Sequence, residues 1–231
     1  MKTIGLLGGM SWQSTAIYYR LINEETHRRL GGIHSASIAM VSVDFQTIEE
    51  HQRKGEWQAA SKALVARALQ VESAGAELLL LCTNTMHKIA DDIASQIRIP
   101  FLHIADATAH KIREANLQKI GLLGTRFTME EDFYRTRLET LGFDVHVPPV
   151  KDRETIHRII YEELCRGIVR DPSRQEFVRI VEELASLGVQ GIVEGCTEIA
   201  MLLQPQHVKL PLFDTTSIHA QRAVDFALSE G

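Results

Sequence analysis

The segment KTIGLLG at Lys2–Gly8 returns as QKIGLLG at Gln118–Gly124, and laying Ile4 on Ile120 gives an offset of 120 − 4 = 116. AGAELLLLCTNT then returns as LGVQGIVEGCTE with Gly75 on Gly188, an offset of 113, and IPFLHIADAT returns as LPLFDTTS with Pro100 on Pro211, an offset of 111. Parallel strands all tend to read as Ile, Leu and Val followed by Gly, so one matched run would mean little. Three runs in the same order at a nearly constant offset predict two homologous lobes. We expect residues 1–104 plus 215–231 to form the first lobe and 105–214 the second.

The runs TIGLLG, SIAMVSVDF, ELLLLC, KIGLLG, FDVHVP and QGIVEGC are each too short for a helix, and longer amphipathic segments such as STAIYYRLINEETHRRL separate them. Strands that are apolar without alternation, interleaved with helices, predict an α/β protein in which each lobe is a parallel sheet flanked by helices. The carboxyl ends of such strands border the ligand crevice. Two pseudo-symmetric lobes are therefore expected to bring CTNT and GCTE to opposite walls of one active-site cleft. Helix ends carry signals too. Ser11 is expected to cap the first helix and Gly31–Gly32 to end it, Thr128 and Glu131 to form a capping box, and Asp171 to cap a helix with Pro172 in its first turn.

Composition narrows the ligand. A net charge of −5 without a long block of one sign argues against nucleic acid or an anionic membrane surface as partner. No apolar run approaches the ~20 residues of a membrane span, and MKTIGLLGGMSW reaches Gly-Gly and Ser too soon for a signal-peptide core, so a cytoplasmic protein is expected. Cys82, Cys165 and Cys196 are widely separated and lack CxxC spacing. Free thiols follow, with neither a disulfide framework nor a zinc ribbon. A small molecule is the expected ligand.

Each of the paired strand ends stops at a small nucleophilic residue, with a helix expected to begin in TMHKIADDIA and in EIAMLL. A thiol at a helix N-terminus sits near the positive end of the peptide dipoles, which gives Cys196 a route to a lowered pKa. Backbone N–H groups there, with Asn84, Thr85 and Thr197, are suited to holding a carboxylate. Two acid/base groups facing each other across an α-carbon can remove a proton from one face and return it to the other, which is racemisation. There is no GxxxxGK[ST], and GLLGGMS has the wrong spacing for GxGxxG, so nucleotide-dependent chemistry has little support.

Taken together, IGLLGGMSWQST, CTNTMH and EGCTEI resemble the aspartate/glutamate racemase family of pyridoxal-phosphate-independent amino-acid racemases, over essentially the whole chain. The resemblance implies a pseudo-symmetric two-lobe fold, a homodimer, no cofactor, no metal, and one acid/base residue from each lobe. The usual Cys-Asn-Thr of the first site is here Thr83-Asn84-Thr85, while Gly195-Cys196-Thr197-Glu198 keeps its cysteine. A threonine/cysteine pair is similar to the subgroup specific for L-aspartate and L-glutamate. The expected catalytic residues are thus Thr83 and Cys196, with Met10, Gln52, Asn84, Thr85, Thr197 and Glu198 at the substrate.

Successive strand side chains point to opposite faces, so if Thr83 faces the cleft, Cys82 faces the packed side, unless a bulge reverses them. Cys165 lies at helical spacing and reads as a core thiol. Arg166 reads either as a contact to a substrate side chain or as a solvated residue near a helix end, and His87 either as a residue bordering the cleft or, preferred, as a solvated helix position. Within the superfamily, a broad-specificity racemase accepting homoserine, a maleate isomerase and an arylmalonate decarboxylase are the rivals; outside it, a two-lobed binding module without turnover.

Overall fold

The run Leu78–Leu81 lacks alternation because it is a central strand with helices on both faces. In the computed structural model, which describes residues 1–229, the chain divides into two units: Met1–Ile104 with the segment from His219 onward, and Ala105–Ile218. The first unit runs β1 (Ile4–Gly8), α1 (Trp12–Leu30), β2 (Ile38–Ser42), α2 (Phe45–Lys54), α3 (Trp57–Ser73), β3 (Leu78–Leu81), a 3-10 turn (Thr85–Ile89), α4 (Ala90–Gln96), β4 (Phe101–Leu102), and the start of α5 (Ile104–Glu114). The second runs β5 (Lys119–Gly124), α6 (Arg126–Glu130), α7 (Asp132–Thr140), β6 (Asp144–His146), α8 (Val150–Glu162), a 3-10 turn (Leu164–Arg166), α9 (Asp171–Ser186), β7 (Gly191–Gly195), α10 (Ile199–Leu202) and β8 (Leu212–Asp214). The last helix, α11 (Thr215–Leu228), contains the return crossing between Ile218 and His219, whereas the sequence reading set it at Asp214.

Both sheets are wholly parallel, ordered β2-β1-β3-β4 and β6-β5-β7-β8. Their registers carry the sequence offsets. Ile4 pairs with Leu78 and Ile120 with Gly191, so the offsets are 116 and 191 − 78 = 113. Leu79 pairs with Phe101 and Ile192 with Leu212, again 113, and 212 − 101 = 111. The two halves are the same sheet built twice.

Side-chain alternation on β3 separates two cores. Leu79 and Leu81 pack with Leu64, Ala68 and Val71 of α3, while Leu78 and Leu80 pack with Tyr18 and Ile22 of α1 and Ala223 and Val224 of α11. In the second unit, Ile192 packs against Ile156 and Ile160 of α8 and Phe177 and Ile180 of α9. At the end of β1, Gly9 has φ +98°, and a Cβ there would stand 2.2 Å from the Val43 carbonyl oxygen. Its N–H donates to Thr15 Oγ1 at 2.8 Å. Only glycine fits this reversal into α1.

Ser11 caps α1, accepting from the Ser14 N–H at 3.2 Å, and Gly31 ends that helix. The expected Thr128/Glu131 box does not form. Thr125 instead caps the extra helix α6, accepting from the Thr128 N–H, so Thr128 is spent one turn earlier than the sequence suggested. Asp171 is the first residue of α9 and not its cap, which places Pro172 one position further in.

Candidate active-site strand ends

The β1–β3 ladder ends at Leu7 and Leu81, and the Cys82 N–H still donates to the Leu7 carbonyl at 2.9 Å. Cys82 continues the alternation into the core of Tyr18, Leu80 and Val224 and is fully buried. Burial alone pushes its thiol far above the ordinary range. It is a core thiol, on the strand face opposite Leu79 and Leu81. Cys82→Ala is therefore expected to keep full catalytic turnover while losing roughly 1–2 kcal/mol of stability; activity assays beside denaturant unfolding check both halves, and loss of turnover in a stably folded variant would refute it.

Thr83 lies just past the ladder, its N–H turned back onto the Leu81 carbonyl at 2.9 Å. Thr83, Asn84 and Thr85 are all buried, and the helical segment that follows starts as the 3-10 turn. His87 is a correction to the sequence reading. It is 3 % exposed, not solvated, because this turn folds inward and carries the imidazole against Phe101 and His103.

Met10 and Gln52 come to the same region through Met86, the second residue of that turn. Met10 and Met86 share one apolar cluster, and Gln52 Nε2 donates to Met86 Sδ at 2.7 Å. Gln52 Oε1 is buried without a hydrogen-bond partner. An amide oxygen in that state is costly unless a donor arrives.

In the second unit, β7 ends at Gly195 and the next three side chains are buried. Cys196 Sγ donates to Glu198 Oε2 at 3.0 Å, and Thr197 Oγ1 donates to the same oxygen at 2.6 Å. The expected lowering of the Cys196 pKa does not occur. The helix after it, α10, is a single turn, too short for a useful macrodipole. Burial dominates and, with the negative charge of Glu198, drives the thiol well above its ordinary range; the Glu198 backbone N–H opposes this only weakly. Cys165 packs on the same core, its thiol pushed up to about 12 by burial and then by Glu198. Arg166 ends the adjoining turn with its side chain exposed.

The sequence pattern of the Asp/Glu/hydantoin racemases matches residues 7–223, both strand ends included. The chain belongs to that family. Family membership makes it an isomerase of the racemase type. It is 53 % identical to a candidate Asp/Glu racemase from Yersinia pestis, with a TM-score of 0.94 over 99 % of this chain and 100 % of that one. An aspartate racemase homologue from Pyrococcus horikoshii OT3 is 33 % identical, with a TM-score of 0.86 over 99 % and 100 %. The broad specificity amino-acid racemase RacX of Bacillus subtilis is 22 % identical over 98 % of each chain.

Within this racemase, one ionisable residue of β7 escaped the sequence reading. Glu194 is buried in the central strand, paired in register with Leu123 on one side and Asp214 on the other. Its Oε1 has no partner, and burial followed by the Asp214 charge raises its pKa from 4.5 to about 8. The signal was present: Glu194 occupies the repeat position of Leu81.

Proposed function

We propose that this racemase inverts the α-carbon of a small acidic amino acid, aspartate or glutamate, without a cofactor, using Thr83 and Cys196 as its two acid/base residues. The observation that carries the proposal is the buried Cys196–Glu198 hydrogen bond at the end of β7. A buried thiol is a poor base until something takes its proton, and the carboxylate oxygen 3.0 Å away is an acceptor already in place. When sulfur acts as base, its own proton passes to Glu198, and the thiolate takes the substrate proton. The C–H bond breaks with its electron pair left on the α-carbon and shared with the α-carboxylate. Thr83 then gives its hydroxyl proton to the opposite face; Glu198 releases the proton it took to solvent as solvent returns one to Thr83, and the substrate proton stays on the sulfur. In the reverse direction the two residues exchange tasks.

Thr83 is the weaker acid, so its alkoxide must be stabilised as it forms. Asn84, Thr85 and Thr197 are the hydrogen-bonding groups assigned to the α-carboxylate and the developing charge. Met10 supplies apolar contact. The unpartnered Gln52 Oε1 suits the substrate ammonium, which brings the missing donors. The likeness to a broad-specificity racemase puts neutral amino acids such as homoserine in the same test. The proposal extends to a cytoplasmic homodimer, its assembly measurable by light scattering.

Proton NMR of L-aspartate, L-glutamate and L-homoserine in heavy water is the direct experiment. The expected result is loss of the α-proton signal with appearance of the D-isomer, fastest for an acidic substrate and reduced roughly a hundredfold or more in Thr83→Ala. Absence of any α-proton exchange by the intact protein would overturn the proposal. Exchange fastest with homoserine would move the substrate class.

A further inference from the structure

Thr83 stands beyond the last rung of its sheet, so the ladder does not hold its carbonyl. His87 does. Its Nδ1 lies 2.7 Å from the Thr83 carbonyl oxygen, and its Nε2 lies 3.2 Å from the Ile104 backbone nitrogen at the start of α5. A carbonyl can only accept and an amide N–H can only donate. Nδ1 must therefore carry the hydrogen and Nε2 the lone pair, which makes His87 a neutral imidazole of one tautomer. A proton added at Nε2 would face the Ile104 N–H and break the second bond.

The surroundings hold that ring in place. His103 packs edge-on with centroids 4.5 Å apart, Phe101 at 5.7 Å and His219 at 6.0 Å. His219 is itself pinned in the opposite tautomer: its Nε2 donates to the Leu102 carbonyl at 2.9 Å and its Nδ1 accepts from the Tyr18 hydroxyl at 2.8 Å. Both imidazoles thus grip one short segment, Leu102–Ile104, where the chain leaves the first unit. His87 ties Thr83 to that anchor. Because the 83–84 peptide is planar and trans, fixing its carbonyl toward His87 also fixes the Asn84 N–H in the opposite direction.

We propose that His87 is a positioning residue for racemisation: by holding the 83–84 peptide against the start of α5, it aims the Thr83 hydroxyl and the Asn84 N–H at the substrate. The inference rests on the racemase proposal above. Misplacement of a reacting group by about 1 Å costs on the order of a hundredfold in rate, so losing this one bond has a measurable consequence.

Two substitutions separate the bonds. In His87→Asn the side-chain nitrogen falls near the position of Nδ1 and can still donate to the Thr83 carbonyl, while the tie to Ile104 is lost. In His87→Gln the amide oxygen reaches toward the position of Nε2 and can accept from Ile104, while the Thr83 bond is lost. Both variants lose buried packing and are expected to unfold at similarly lowered denaturant. The expected kinetic result is unequal: His87→Asn keeps kcat within about threefold, and His87→Gln loses roughly ten- to a hundredfold. In His87→Gln the primary isotope effect with α-deuterated substrate is expected to rise for the enantiomer whose proton Thr83 removes and to fall for its mirror image, for which Thr83 delivers the second proton. A loss of folded protein would lower both rates and leave both isotope effects alone. Equal activity of the two variants, or isotope effects unchanged in His87→Gln, overturns the positioning role while the intact enzyme still racemises. If the intact protein exchanges no α-proton, the racemase proposal falls and takes this inference with it.

Discussion

Cys196→Ala is expected to slow racemisation of aspartate or glutamate by roughly a hundred- to ten-thousandfold in both directions, the usual range for removing a general acid or base. Thr83 alone cannot substitute, since one base can remove a proton from one face but has no partner to deliver one to the other. Glu198→Gln provides the sharper result, because two effects of the carboxylate point in opposite directions. Glutamine still hydrogen-bonds the sulfur but cannot take its proton, so turnover is expected to fall by a comparable factor. At the same time the negative charge of Glu198 is one cause of the elevated Cys196 pKa, second to burial. Removing it brings the thiol down toward its ordinary range. Alkylation of Cys196 by iodoacetamide, followed across pH by mass spectrometry, is thus expected to rise at lower pH in Glu198→Gln than in the unaltered protein, even though catalysis is worse. A variant that loses neither activity nor the alkaline position of its thiol would show that the Oε2 contact is structural only.

The architecture was legible because the repeat is written in residues that strand pairing preserves. Offsets of 116, 113 and 111 survive as ladder registers, and the strand order is the same in both units. Helix boundaries were less legible where two caps compete. Thr125 and Thr128 are both plausible cap residues in sequence, and only the end of β5 at Gly124 decides for the first. The return crossing carries no mark in the sequence: α11 runs continuously from Thr215, so no break in the chain marks Ile218.

At the strand ends, residue type was legible and environment was not. The sequence places a thiol, threonines and a glutamate at the strand ends, but the dipole expected at Cys196 assumes a full helix where the fold provides one turn. Burial then governs the thiol. His87 was misread because an i, i+4 histidine after a strand looks solvated in sequence, and its burial depends on Phe101, His103 and His219, which are distant in the chain. The repeat marked Glu194 as an oddity opposite Leu81, yet nothing in sequence pairs it with Asp214.

Glu194→Leu is expected to make the protein more stable, and increasingly so as pH rises. The carboxyl is an acid whose folded pKa, about 8, exceeds the 4.5 of an unperturbed glutamate, because burial and then the Asp214 charge disfavour its ionised form. Below about pH 4.5 the group is protonated whether the chain is folded or not, and it imposes no penalty. Between about 4.5 and 8 the unfolded chain releases the proton while the folded one retains it, so unfolding becomes progressively more favourable. Above about 8 both states are ionised and the penalty levels off, at the most of order 5 kcal/mol. Leucine removes the titration, fills the position as Leu81 does in the first unit, and eliminates the unpartnered Oε1. Removing a buried ionised carboxylate that has only another carboxylate beside it relieves a desolvation cost of about 1–4 kcal/mol. Denaturant unfolding of both proteins at pH 5 and pH 8.5 should therefore show a small difference at the lower pH and a gain of roughly that size at the higher. A gap that fails to widen between the two would mean that Glu194 does not hold its proton in the folded strand, and that a donor reaches the carboxylate when the chain is in solution.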